Sequence, residues 1–300
     1  MNASYIAPAV TLLCEDKSLD LDSQGAFYEK LIACGIDGVL VQGSIGEFFA
    51  LPMSQRIRLA EFAVDTIARR IPCIIGVSNM ITDEIIPFAD RCLARGADAV
   101  MILPPYYFSF DEETVFQYFD RLLPDIHGPV YLYNFPARTG YSISPRTVLR
   151  LRERHPHLRG IKDTITGMDH TRELIKAVKP SFPDFEIYSG FDDNAARNVL
   201  SGGSGIIGGL ANVVPELCAA WMRAIRDGDA DGIAAGQQRV DRLMDLYSVG
   251  GVFVPFIKEG ARLRGLAKSS ACSFPMVPPT EEESAAVRAI LAREGFDTAL

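Results

Sequence analysis

Short apolar runs alternate along this chain with longer stretches in which apolar residues recur every three or four positions. The first pattern predicts a strand buried on both faces, the second a helix with one buried side. Ile6–Leu13 is the first run, and helical spacing follows over Leu21–Cys34 until Gly35 stops it. Gly38–Gln42 is a second strand, Pro52–Arg70 a helix whose basic end suits its carboxyl terminus, and Pro72–Gly76 a third strand. Thr82–Arg95 and Asp111–Leu123 continue as helices, with strands at Ala99–Leu103 and Val130–Tyr133. Ser144–Arg154 reads as a helix capped by Ser144 with Pro145 at its first position. Gly160–Lys162, Glu186–Ser189 and Gly205–Ile207 complete eight strands, with helices at Asp169–Val178, Asp193–Leu200 and Val214–Ile225. A weak repeat supports the pattern: Ala33–Val39 and Ala94–Val100 each run from a helix end through a glycine into a strand.

Eight short apolar strands, each followed by a helix, predict a closed (β/α)8 barrel over residues 1–225. An open doubly wound sheet could use the same units, but no G-x-G-x-x-G follows the first strand and no linker divides the chain. Residues 226–300 exceed what a bare barrel needs. Their helical periodicity at Asp229–Leu246, Val252–Arg264 and Glu281–Arg293, broken by a loop at Pro275–Pro279, predicts a helical extension packed on the barrel.

Charge and composition narrow the class of partner. A net charge of −8 and a pI near 5.1 argue against nucleic acid and anionic membrane surfaces, which reward a basic face. The six cysteines form no C-x-x-C pair and read as free thiols in a reducing compartment. His127, His155, His157 and His170 lack the spacing of paired ligands on a helix, so no metal site is expected. No basic segment precedes an apolar stretch at the amino terminus, and no apolar run reaches membrane-spanning length. The expectation is a soluble cytoplasmic protein acting on a small molecule.

In such a barrel the active site lies at the carboxyl ends of the strands. Emerging there are Gly43-Ser44-Ile45-Gly46-Glu47 after strand two, Pro104-Pro105-Tyr106-Tyr107 after four, Tyr133–Gly140 from five, Lys162-Asp163-Thr164 from six, Gly190-Phe191-Asp192-Asp193 after seven and Gly208-Gly209 after eight. Lys162 closes an apolar run, an odd place for a charge: it is either paired with a carboxylate or kept partly neutral for chemistry. The Gly43–Gly46 turn offers backbone N–H groups and the Ser44 hydroxyl to a small carboxylate, or is an ordinary turn between strand and helix. Tyr133 shuttles a proton or caps the barrel core. Arg138 holds a carboxylate through two parallel hydrogen bonds or decorates a surface loop. Ser201–Gly205 has no lysine in or beside it and reads as a turn rather than a phosphate cradle. A lysine, a tyrosine and a carboxylate-binding turn together are the parts of an imine-forming enzyme, in which an amine attacks a ketone and the iminium labilises the neighbouring carbon–carbon bond.

G-S-I-G-E at Gly43–Glu47, Y-N-F-P-A-R-T-G at Tyr133–Gly140 and I-K-D-T at Ile161–Thr164 resemble, in order and spacing, the motifs of the dihydrodipicolinate synthase and N-acetylneuraminate lyase family. These are (β/α)8 enzymes that work through a Schiff base with pyruvate, and the resemblance covers nearly the whole chain. It implies that Lys162 forms the imine, that Tyr133 carries protons, and that Ser44 and the Ile45 amide bind the pyruvyl carboxylate. It further implies substrate contacts from Arg138, Thr164, Gly190, Asp192 and Ile207, and no cofactor or metal besides the covalent imine on Lys162. A homotetramer, built as a dimer of dimers, is implied as well, with Tyr107 reaching toward a neighbouring subunit's site. Ile45 stands where lysine-pathway synthases carry a second hydroxyl residue, while Arg138 matches the arginine that holds their aldehyde substrate. The I-K-D-T run with Gly190–Asp193 looks more like aldolases that cleave 2-keto-3-deoxy sugar acids. Glu47-Phe48-Phe49 resembles keto-deoxy-glucarate dehydratases, and Gly209 replaces a serine of sialic-acid lyases. The expected activity is reversible cleavage of a 2-keto-3-deoxy sugar acid to pyruvate and an aldehyde. The alternatives are 4-hydroxy-tetrahydrodipicolinate synthase, condensing pyruvate with aspartate semialdehyde; keto-deoxy-glucarate dehydratase; a non-catalytic barrel that binds a keto acid; and a barrel whose Lys162 holds pyridoxal phosphate.

Overall fold

The computed structural model describes residues 3–298. The elements run β1 (Ser4–Pro8), α1 (Leu21–Cys34), β2 (Gly38–Val41), α2 (Met53–Ile67), β3 (Cys73–Gly76), α3 (Ile85–Arg95), β4 (Ala99–Ile102), α4 (Glu112–Leu122), β5 (Val130–Asn134) and α5 (Pro136–Thr139). They continue with α6 (Pro145–Arg154), β6 (Leu158–Asp163), α7 (Asp169–Val178), β7 (Glu186–Ser189), α8 (Ala195–Leu200), β8 (Gly205–Ile207), α9 (Pro215–Asp227), α10 (Ala230–Leu243), α11 (Val254–Leu263) and α12 (Glu281–Arg293). The eight strands pair in chain order in a closed barrel, and the pairs whose register is defined are parallel. The expected (β/α)8 fold is therefore the observed one.

Local signals set many of the boundaries. Asp20 caps α1 by accepting from the Ser23 N–H, and Gly35, at φ 83°, ends it. Gly96, at φ 116°, ends α3 in the same way, so both copies of the weak repeat are helix C-caps. Ser144 accepts from the Thr147 N–H at the start of α6, and Thr280 with Glu283 forms a capping box at α12.

Several boundaries differ from the pattern. The first strand stops at Pro8 instead of reaching Leu13, because side-chain amides take over its backbone: Val10 N donates to Asn212 Oδ1 at 2.8 Å and Leu12 N to Gln24 Oε1 at 2.8 Å. The sixth strand is twice as long as Gly160–Lys162, running Leu158–Asp163. A single helical turn, α5, occupies the loop after β5, started by Pro136 and ended by Gly140. Asp192–Asn194 is a 3-10 turn leading into α8. Ser201–Gly205 is a turn, tied down by the Ser204 hydroxyl, which accepts from Ile187 N at 3.0 Å.

The chain divides into two compact units, Ala3–Cys73 with the segment from Gly208 onward, and Ile74–Ile207. In the first, α9 packs on α1 and β1, α10 on α9, and α12 on α11, around buried Tyr5, Phe27, Tyr28 and Trp221. In the second, α6 packs between α4 and α7 over Phe119, Leu132, Ile161 and Phe185. All six cysteines are free, and Cys73, Cys92, Cys218 and Cys272 are buried. Among the described residues no helix is long and apolar enough to cross a membrane.

Candidate active site

A single extra residue decides where Lys162 goes. Val130 of β5 pairs with Leu158 of β6, but Tyr131 pairs with Gly160, so Arg159 is bulged out and the register slips by one. Without that bulge Lys162 would stand opposite Asn134, on the other face of the sheet. With it, Tyr133 pairs with Lys162, and Lys162 in turn with Tyr188 of β7. The Lys162 Nζ lies 4.5 Å from the centre of the Tyr133 ring. Lys162 and Tyr133 are each only 4% exposed. Among the described residues no carboxylate pairs with Lys162.

Two register steps earlier, Tyr131, Gly160 and Glu186 are aligned. Both Tyr131 and Tyr188 donate to Glu186 Oε2, at 2.6 and 2.9 Å. A Cβ at Gly160 would come within 2.8 Å of the Tyr131 ring and 2.3 Å of the Glu186 carbonyl oxygen, so only glycine lets this layer close. Burial, followed by the Glu186 charge, pushes the Tyr131 phenol far above its ordinary range. Tyr131 is thus a fixed donor.

Asp163, next to Lys162, faces away from it and is fully buried. It accepts from Asn134 Nδ2 at 2.7 Å and Thr171 Oγ1 at 2.7 Å, and it meets His170 Nδ1 at 3.0 Å. Thr164, the next residue on, is buried and its hydroxyl has no hydrogen-bond partner among the described residues. A Cβ at Gly190 would sit 1.8 Å from that hydroxyl oxygen, which ties the two predicted substrate contacts together. Arg138 is exposed, its guanidinium 5.5 Å from the centre of the Phe135 ring. Phe135 stacks on Tyr133 at 5.9 Å, so Arg138, Phe135 and Tyr133 form one series of contacts. The Tyr141 hydroxyl donates to the Pro105 carbonyl and joins the loops after β4 and β5. Asp192 and Ile207 are fully buried, whereas Tyr107 is 86% exposed with φ at 93°, a strained angle for a tyrosine.

The Gly43–Glu47 turn belongs to the other unit. Glu47, at φ 60°, is fully buried; its Oε1 accepts from Lys258 Nζ of α11 at 2.6 Å and its Oε2 from Ser273 N at 2.6 Å. Thr11 Oγ1 donates to the Gly46 carbonyl at 2.6 Å. Ser44 is partly exposed and Ile45 buried. The Ile45 side chain presses on Gly209, where a Cβ would come within 2.6 Å of Ile45 Cδ1 and 2.3 Å of the Tyr247 hydroxyl. Isoleucine at 45 and glycine at 209 are therefore one packing solution.

Sequence reasoning missed His170, Asn134, Tyr188, Lys258 and Tyr247. Lys258 carried the same signal as Lys162, a lysine after the apolar run Val252–Ile257. His170 carried none, since its partners lie on a strand and in a loop. Among the described residues no three His, Cys, Asp or Glu side chains gather as metal ligands.

The profile of the dihydrodipicolinate synthetase family matches residues 2–294. The probable 2-dehydro-3-deoxy-D-pentonate aldolase YjhH of Escherichia coli K12 is 34% identical over 294 residues, 98% of either chain. The crystal structure of YagE, a prophage protein of Escherichia coli K12 in complex with pyruvate, superposes with a TM-score of 0.94 at 33% identity, covering 98% of this chain and 99% of that one. A 4-hydroxy-tetrahydrodipicolinate synthase of Methanosphaerula palustris is 31% identical over 92% of this chain and 93% of its own. The chain belongs to the dihydrodipicolinate synthetase family.

Proposed function

We propose that this lyase of the class I aldolase type cleaves a 2-keto-3-deoxy sugar acid reversibly to pyruvate and an aldehyde. The observation that carries the reading is a buried lysine amine 4.5 Å from a tyrosine ring, with no carboxylate paired to it among the described residues. A paired carboxylate would hold the amine as the ammonium, which has no lone pair to attack with. Lys162 Nζ adds to the ketone carbon and water leaves, giving an iminium. Tyr133 takes the proton of the C4 hydroxyl as the C3–C4 bond breaks, the aldehyde departs, and the bond electrons remain in an enamine. Protonation of the enamine and hydrolysis of the iminium release pyruvate and restore Lys162. The covalent imine withdraws the electrons, so this reading involves no cofactor or metal.

The remaining roles belong to the same proposal. The Ser44 hydroxyl and Ile45 amide receive the keto-acid carboxylate, from a turn stiffened by the Glu47–Lys258 pair. Thr164, Gly190, Asp192 and Ile207 shape the sugar-acid end, and the unpartnered Thr164 hydroxyl supports that assignment. YjhH, named for a 2-dehydro-3-deoxy sugar acid, supports the substrate class. We read residues 226–300 as a helical extension of the barrel and the enzyme as cytoplasmic. A homotetramer is supported by the exposed Ile81, Tyr107 and Phe108, 60%, 86% and 67% accessible, and light scattering checks it.

Incubation with pyruvate and borohydride tests the chemistry, and mass spectrometry should place a reduced pyruvyl adduct on Lys162. An unmodified protein would sink the imine mechanism. A panel of keto-deoxy acids coupled to lactate dehydrogenase, run beside condensation with aspartate semialdehyde, tests the substrate. The exposed Arg138 favours the synthase as second reading, and turnover in the condensation assay alone would establish it.

A further inference from the structure

Behind the Lys162–Tyr133 pair, four residues close a ring of hydrogen bonds. Ile143 N donates to Asn134 Oδ1 at 2.9 Å, Asn134 Nδ2 to Asp163 Oδ1 at 2.7 Å, and Asp163 meets His170 Nδ1 at 3.0 and 3.1 Å. The ring closes where His170 Nε2 lies 3.0 Å from the Ile143 carbonyl oxygen. Every direction around it is fixed. A backbone N–H only donates, so Asn134 turns its oxygen to Ile143 and its NH2 to Asp163. Asp163 accepts from Asn134 at Oδ1 and from Thr171 Oγ1 at Oδ2, so both of its oxygens already act as acceptors. A backbone carbonyl only accepts. His170 thus meets an acceptor at each ring nitrogen, and only the imidazolium donates at both.

Asn134 and Asp163 are register partners, one step beyond Tyr133 and Lys162. The geometry points to His170 as a charged clamp that fastens the ends of β5 and β6 together and so holds Tyr133 beside Lys162 in working register. It is a positioning residue, and the inference rests on the reading of Lys162 and Tyr133 given above. The clamp sits where the bulge at Arg159 makes register a choice. Asn134 and Asp163 are fully buried, while the His170 side chain keeps 19% exposure, enough for water to exchange its proton.

From β6, Asp163 is the charge facing the ring. On α7 itself Asp169 pairs with Arg172, and the neighbouring α6 sends Arg150 to Glu113 and Arg154 to Asp120. Burial works against the charged ring, but the Asp163 hydrogen bond and charge, with the Ile143 carbonyl, outweigh it and raise the His170 value above the ordinary one. The clamp is complete below the ordinary histidine range and is lost as pH rises through this higher folded-state value.

Nuclear magnetic resonance of the four ring-labelled histidines tests this in the intact protein, with His170→Asn identifying the resonance that disappears. At pH 7 His170 should be doubly protonated. Over the same pH interval kcat for aldol cleavage should fall while KM changes little. In His170→Asn, kcat should drop about 10- to 100-fold and that titration step should vanish, since small misplacement of reacting groups costs this much. A neutral His170 at pH 7, or a variant with wild-type kcat and pH profile, overturns the clamp even if borohydride traps an adduct on Lys162. A charged His170 without any adduct overturns the imine reading instead, and with it the clamp's catalytic role.

Discussion

Two buried lysines in this chain follow an isoleucine and precede an acid, and they have opposite surroundings. Ile257-Lys258-Glu259 lies in α11, where Lys258 is fully buried with its amine 2.6 Å from Glu47. Ile161-Lys162-Asp163 ends β6, where Lys162 is 4% exposed and its amine lies over a tyrosine ring with no paired carboxylate among the described residues. In both triplets the following acid turns elsewhere: Glu259 binds Arg262, and Asp163 binds Asn134, Thr171 and His170. A buried ammonium is costly unless matched. Lys258 meets that cost with a carboxylate and becomes structure, whereas Lys162 leaves its amine uncommitted and becomes a candidate nucleophile.

The largest effect that could break this contrast is on turnover. Lys162→Ala should lower kcat by on the order of 10⁶-fold, the scale seen when a covalent nucleophile is removed, while the fold survives. Retained borohydride trapping in that variant would transfer the role to another lysine. Next comes the tyrosine that stands where Lys258 has its glutamate. Tyr133→Phe keeps the ring and the packing on Phe135 but loses the hydroxyl, and kcat should fall about 10²- to 10⁴-fold as for a lost acid–base group. A smaller loss would reduce Tyr133 to packing.

The structural lysine should respond in stability. Lys258→Met leaves Glu47 buried as a lone charge, so unfolding free energy should drop by about 3–5 kcal/mol in denaturant titration. Adding Glu47→Gln removes that charge while keeping an acceptor for Ser273 N, and the deficit should shrink to about 1–2 kcal/mol, one unsatisfied amide. A double variant no better than the single would mean that the pair is not what burial of Glu47 depends on.

How much of this contrast the sequence carried depends on the range of each signal. Helices α1, α7 and α12 and strands β7 and β8 begin and end where the sequence pattern places them, with Gly35 and Thr280 acting as local caps. The barrel followed from the alternation, and the strand ends named Lys162 and Tyr133. The register that joins them was not legible, because Arg159 looks like an ordinary strand residue until its neighbour pairs with Val130. Nor was the difference between the two lysines. Glu47 is 211 positions from Lys258, and nothing in an Ile-Lys-acid triplet says whether a carboxylate will arrive from that distance. His170 was hidden for the same reason, with partners 7 and 27 residues away on different elements.

The smallest expected effect is the most discriminating. If Lys162 is held only by packing and the face of Tyr133, Lys162→Met removes a desolvated amine and forfeits a cation–π contact of about 0.5–2 kcal/mol. The unbranched methionine fills a similar volume, so the two terms should leave stability within about 1 kcal/mol of wild type, a gain being as acceptable as a loss. Lys258→Met, the same substitution in a similarly buried place, should cost several times more. Measured side by side in denaturant, equal losses would mean that a partner holds the Lys162 amine as Glu47 holds that of Lys258, and an amine so held is not poised to attack a ketone.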